Sequence, residues 1–98
     1  MLNAIEYYQC EPNIVGKLFD SMTLCLSKGL CCPFGSLIFG SREAMDSARR
    51  IRKCLGGGLR QIGVIGAAGL WALANMRPVI REDNRVAKYL GSLLVQIP

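Results

Sequence analysis

The chain has 98 residues, 51% of them hydrophobic and 19% charged, with 11 glycines, a formal net charge of +5 and no histidine. That length allows at most one small domain, and the apolar content excludes a disordered tail. The missing histidine excludes a histidine general base, a histidine-ligated metal and a Ser-His or Cys-His nucleophile pair within these residues.

So much apolar side chain in so short a chain implies surface meant to be covered by something else. Of the cations, Arg42, Arg49, Arg50, Arg52 and Lys53 fall in one short stretch. On charge alone a nucleic acid or an anionic membrane would fit. The reading adopted is plainer: a solvated helix face beside a site that binds anions. The cysteines Cys10, Cys25, Cys31, Cys32 and Cys54 are odd in number and form no C-x-x-C pair. They read as small hydrophobes kept reduced, which favours a cytosolic or organelle-matrix setting. The adjacent Cys31 and Cys32 cannot alone make a tetrahedral zinc site, and no metal is expected.

In chain order, Leu2 to Tyr8 suits a short helix and Glu11-Pro12-Asn13 a turn. Ser21 to Leu26 is a short, mostly apolar run between Asp20 and Ser27-Lys28-Gly29, which predicts a buried strand. Ser36 to Phe39, ending at Gly40, predicts a second strand. The link from Ser27 to Gly35 is too short for a parallel crossover, so neighbouring strands here must be antiparallel. Ser41 suits an N-cap with Glu43 in the first helical turn. Ala44, Ala48, Ile51 and Leu55 then share one helical face, with Asp46 placed to pair with Arg50. Gly56-Gly57-Gly58 stops that helix. A second helix is predicted from about Leu59 to Asn75. Its Gly63, Gly66 and Gly69 leave a bare side that makes sense only under close packing. The run Ile62 to Ala74 is shorter than the roughly 20 residues that span a bilayer, so a buried helix is expected. Pro78 suits the first turn of a third helix with Val86, Leu90, Leu93 and Leu94 as its apolar stripe. No basic region followed by an apolar core opens the chain, so no signal peptide is expected.

Lys28 is the residue most suggestive of chemistry. A lysine just past a buried strand projects from the sheet's rim, partly desolvated, where the neutral amine that attacks a carbonyl is favoured. Gly29 beside it admits a planar ligand. By itself the pattern is weak, since most Lys-Gly pairs are ordinary surface turns. The glycine triplet with Arg60 admits two readings, an anion cradle with a guanidinium fork or a connector with capping glycine. No Gly-Lys-Ser/Thr follows, so it is not a nucleotide P-loop.

Together, Phe19-Asp20-Ser21, Cys25-Leu26-Ser27-Lys28-Gly29-Leu30, Pro33, Gly35-Ser36, Gly40-Ser41 and the arginine-rich run into Gly-Gly-Gly-Leu-Arg-Gln closely resemble the threonine aldolases. The resemblance runs from about Met1 to Leu94. It implies the β-eliminating lyase group of pyridoxal-phosphate (PLP) enzymes. The implied fold class is α/β: part of the large PLP-binding domain of the aspartate-aminotransferase-like fold type I over residues 1–98, two short antiparallel strands followed by three helices. It further implies a cytoplasmic lyase that cleaves threonine or allo-threonine to glycine and acetaldehyde, placing it in threonine catabolism and glycine biosynthesis. Lys28 would be the lysine joined covalently to PLP. Arg60 would approach the cofactor phosphate across a dimer contact in a homo-oligomer. Neither a nucleic acid nor a membrane partner is implied.

The departures are equally specific. The aspartate that holds the pyridine nitrogen and its neighbouring arginine would precede Met1, as would a ring-stacking histidine. The small domain with its carboxylate-binding arginine is also missing, so a partial chain is expected, inactive alone. Cys31-Cys32 replaces a small Gly-Ala, and Asn84 stands where a histidine is common. The alternative is a non-catalytic remnant that dimerises through its glycine-faced helix or binds anions through its basic one. A nucleic-acid binder ranks below both, because no aromatic interleaves the basic cluster.

Overall fold

The computed structural model describes residues 1–97. The elements run α1 (Leu2–Tyr8), α2 (Pro12–Gly16), β1 (Ser21–Cys25), β2 (Ser36–Gly40), α3 (Arg42–Cys54), α4 (Gly63–Asn75) and α5 (Arg77–Leu94). The chain is α/β with two strands, as expected, but two short helices precede them as well as three following. Pro12 at the head of α2 explains why the anticipated turn winds on for a helical turn, since its fixed φ suits a first helical position.

β1 and β2 pair antiparallel with Ser21 opposite Gly40 and Cys25 opposite Ser36. The ladder continues past the strand ends, where Leu26 N–H donates to the Gly35 carbonyl at 2.9 Å and Cys32 N–H to the Leu26 carbonyl at 3.0 Å. Gly35 makes this close approach at φ +114°, where a Cβ would lie 3.2 Å from Ile65 and 3.3 Å from Leu26.

Leu24, Leu26, Leu30, Cys32, Ile65, Ala72 and Ile80 form the core cluster, joining the hairpin to α4 and α5. On α4 the buried residues are Ile65, Gly69 and Ala72, spaced i, i+4, i+7. α1 lies across α5. Ser41 caps α3 as predicted, its Oγ accepting from Ala44 N–H at 3.2 Å.

Much of the expected burial is not supplied by this chain. Every residue of β2 is exposed, and α3 has no buried residue. The stripe Val86, Leu90, Leu93 and Leu94 on α5 is likewise open. Of the glycine side of α4, only Gly69 is covered, by Leu26; Cβ atoms at Gly63 and Gly66 would meet nothing. The physical reason is geometric: two strands and five helices strung over 52 Å do not wrap one another. The radius of gyration is 16.6 Å, against about 13 Å for a compact domain of this length. The accessible surface is 7857 Å², where a self-contained monomer of this mass would show about 5,500 Å². The excess of about 2,300 Å² has the size of a permanent protein interface. No single helix among the described residues is long and apolar enough to cross a membrane.

Candidate active site

Lys28 lies three residues beyond β1, at the first corner of a turn. The Cys31 N–H donates to the Lys28 carbonyl at 2.8 Å, so Gly29 and Leu30 are the central residues and the corners stand within about 7 Å of each other. The turn is anchored from below. Leu30 is 2% exposed, and a Cβ at Gly29 would lie 3.4 Å from both Asn3 Oδ1 and Ile80 Cγ1. Asn3 is itself held by Asn84, which donates through Nδ2 to the Asn3 carbonyl at 2.8 Å and accepts from Asn3 Nδ2 at 3.3 Å. α5 therefore supports the lysine turn through Ile80 and Asn84.

Lys28 lines a cleft of about 200 Å³ between the start of α1 and the end of β1, with Thr23, Cys25 and Asn3 also on its walls. Lys28 is exposed, which corrects the expectation of a partly desolvated amine. The sheet rim on which it sits has no neighbour in this chain to shield it. Apart from Lys28, the cleft lining among the described residues has no cationic side chain and no carboxylate. These residues fit the aldehyde end of PLP. They do not fit its phosphate or its pyridine nitrogen.

Arg60 sits between α3 and α4, exposed, and neither lines this cleft nor makes a hydrogen bond or ion pair with Lys28. The neighbouring glycines close α3: Gly56 N–H donates to the Lys53 carbonyl at 3.1 Å and Gly57 N–H to the Arg52 carbonyl at 2.8 Å. Gly56 is at φ +77°. With those donors engaged and α4 starting only at Gly63, the triplet acts as a C-cap and not as an anion cradle. On α3 the predicted Asp46–Arg50 pair is replaced by Asp46–Arg49 at 2.6 Å, while Arg50 donates to Ser47 Oγ at 3.1 Å. At i+3 and i+4 both arginines are within helical reach of the acid, so spacing does not choose between them.

The most heavily buried charge escaped sequence reasoning. Glu6 on α1 is 6% exposed, and its two carboxylate oxygens accept from Arg77 Nε and Arg81 Nε on α5. These hydrogen bonds hold its carboxyl below the usual carboxylate range, against the opposing effect of burial. The available signal was Arg77 and Arg81 at i, i+4, which aims two guanidinium groups at one point. Beside this clamp a larger cleft of about 660 Å³, mostly apolar, runs under α1 and α2 along β1, with Arg77 on its wall. All five cysteines are unpaired; Cys32 is buried, while Cys31 and Cys54 are exposed.

The beta-eliminating lyase family model matches residues 1–98. The chain is 43% identical over 94 residues to a low specificity L-threonine aldolase of Escherichia coli, covering 96% of this chain and 28% of the relative. It is 48% identical over 81 residues to low-specificity L-threonine aldolase 1 of Arabidopsis thaliana, covering 83% and 23%. It is 56% identical over 76 residues to aldolase vrtJ of Penicillium aethiopicum, covering 78% and 16%. The chain thus spans about a quarter or less of these relatives.

Proposed function

This chain belongs to the beta-eliminating lyase family, and on that footing we propose that it carries the covalent cofactor lysine of a PLP-dependent aldehyde-lyase of the threonine aldolase type. The supporting observation is the position of Lys28. The residue stands at the corner of a hydrogen-bonded turn, braced by α1 and α5, and lines a cleft large enough for a small planar ligand. Its substrate would be a β-hydroxy amino acid such as threonine or allo-threonine, split to glycine and acetaldehyde. PLP, when bound, supplies the electron sink for that carbon–carbon cleavage.

The residues of this chain have narrower tasks. Lys28 offers the nucleophilic amine, and Leu30 and Ile80 keep its turn from drifting. Gly29 keeps side-chain bulk away from the cleft floor. Contacts to the phosphate and ring nitrogen fall to other parts of a longer protein or to a partner subunit, and Arg60 is proposed to serve such a partner's site. The open faces of β2, α3 and α5 agree with a fold type I large domain continued by further sheet and with a homo-oligomer.

The test is direct. The 98-residue chain is incubated with PLP, reduced with borohydride and digested, and the pyridoxyl groups are mapped. A label concentrated on Lys28 is expected. No label, or one spread evenly over all four lysines, removes the assignment of a formed site.

A further inference from the structure

Two residues with nucleophilic side chains line the same cleft, Lys28 and Cys25. Cys25, the last residue of β1, contributes to the same wall as Lys28. It is half-buried and unpaired, in contrast to Cys32, which is buried in the core. The position of its sulfur is set by the hairpin: Cys25 stands opposite Ser36, whose hydroxyl donates to Cys25 Sγ at 3.7 Å. A sulfur that accepts this bond keeps its own S–H free for the cleft.

We propose that Lys28 and Cys25 form a paired amine–thiol site that captures small aldehydes at two points. The amine adds to the carbonyl carbon, and the carbonyl oxygen leaves as water, giving a carbon–nitrogen double bond. The Cys25 sulfur then adds to that carbon and its proton passes to the nitrogen. The balance is one aldehyde, one amine and one thiol giving one N,S-acetal and one water, with no oxidant or reductant. Closure removes the lysine from further carbonyl chemistry until the acetal reopens, so the pair acts as a reversible brake that responds to free aldehyde. This rests on Lys28 being carbonyl-reactive, as proposed above, and not on any cofactor contact.

The probe is ortho-phthalaldehyde, which joins a neighbouring amine and thiol into a fluorescent isoindole with loss of two waters. The 98-residue chain should become fluorescent, with the bridge located between Lys28 and Cys25 by peptide fragmentation. Fluorescence should be lost in Lys28→Arg and in Cys25→Ser, and kept in Cys31→Ser. Fluorescence that survives Cys25→Ser, depends on Cys31, or never forms overturns the pairing. Borohydride trapping of PLP separates the two claims. A pyridoxyl group on Lys28 without the isoindole ends the paired site and leaves the lyase reading. The isoindole without the pyridoxyl group does the reverse.

Discussion

Replacing Glu6 by Gln keeps the shape of the side chain and removes its charge, which isolates the electrostatic part of the contact between α1 and α5. One charge-assisted hydrogen bond is weakened and the other is lost, because the Gln amide nitrogen cannot accept from a guanidinium N–H. In a well-buried setting each would contribute about 1.5–3 kcal/mol. Here the partners are half in water: the Arg77 side chain is 47% exposed and that of Arg81 60%. Both guanidinium groups can resolvate, so a total loss of about 1–2 kcal/mol is the better figure. That corresponds to roughly a 5- to 30-fold rise in the open population. Amide hydrogen exchange over residues 2–8, read by mass spectrometry, reports such local opening without requiring a cooperative global melt. The same contact predicts a pH response. The Glu6 carboxyl is lowered in the folded chain relative to its ordinary value. Its contribution is therefore complete above that ordinary value and disappears as pH falls through the lowered one. Protection of residues 2–8, corrected for intrinsic exchange, should fall on acidification in the native chain and stay flat in Glu6→Gln. Equal protection in the two proteins at neutral pH would show the clamp to be energetically empty.

Gly35→Ala should destabilise the hairpin by about 1–3 kcal/mol, because alanine at φ +114° is strained and its Cβ crowds Ile65 and Leu26; faster exchange at residues 21–26 and 36–40 measures it. Gly66→Ala should act oppositely in the isolated chain, raising helical circular dichroism through about 0.5–1 kcal/mol of helix propensity, since its Cβ meets nothing. Ser41→Ala removes the cap on Ala44 N–H and should cost α3 about 1 kcal/mol, seen as faster exchange in its first turn. The isolated chain should bind the hydrophobic dye ANS and associate as its concentration rises, given the open residues of β2 and α5; a monodisperse monomer with a sharp melt would contradict this.

Local pattern proved a good guide wherever one short stretch decides the outcome. The strand limits at Ser21 and Gly40, the antiparallel pairing, the Ser41 cap, the short helix Leu2–Tyr8 and Pro78 in the first turn of α5 all follow from punctuation and spacing. Burial was less legible, because it depends on what stands opposite. The stripe Val86, Leu90, Leu93, Leu94 is amphipathic enough to predict a partner, but no element of this chain reaches it. The same holds for Gly63 and Gly66. The turn that carries Lys28 could be read from the strand end and the Ser-Lys-Gly punctuation, whereas the exposure of its side chain could not. Glu6 was missed because a lone acid in a mixed segment carries no mark of the arginines that meet it some seventy residues later.

The brace under the lysine turn joins residues that are 81 positions apart, Asn3 and Asn84, with Ile80 pressed against Gly29. Such pairings close late, since long loops must lose their freedom before the contact rewards them. During synthesis the hairpin can zip as soon as β2 emerges from the ribosome. The turn at its tip gains this support only once α5 has followed. A nascent chain halted before Ile80 would therefore carry Lys28 on a turn with neither the Ile80 contact nor the Asn84 hydrogen bonds beneath it.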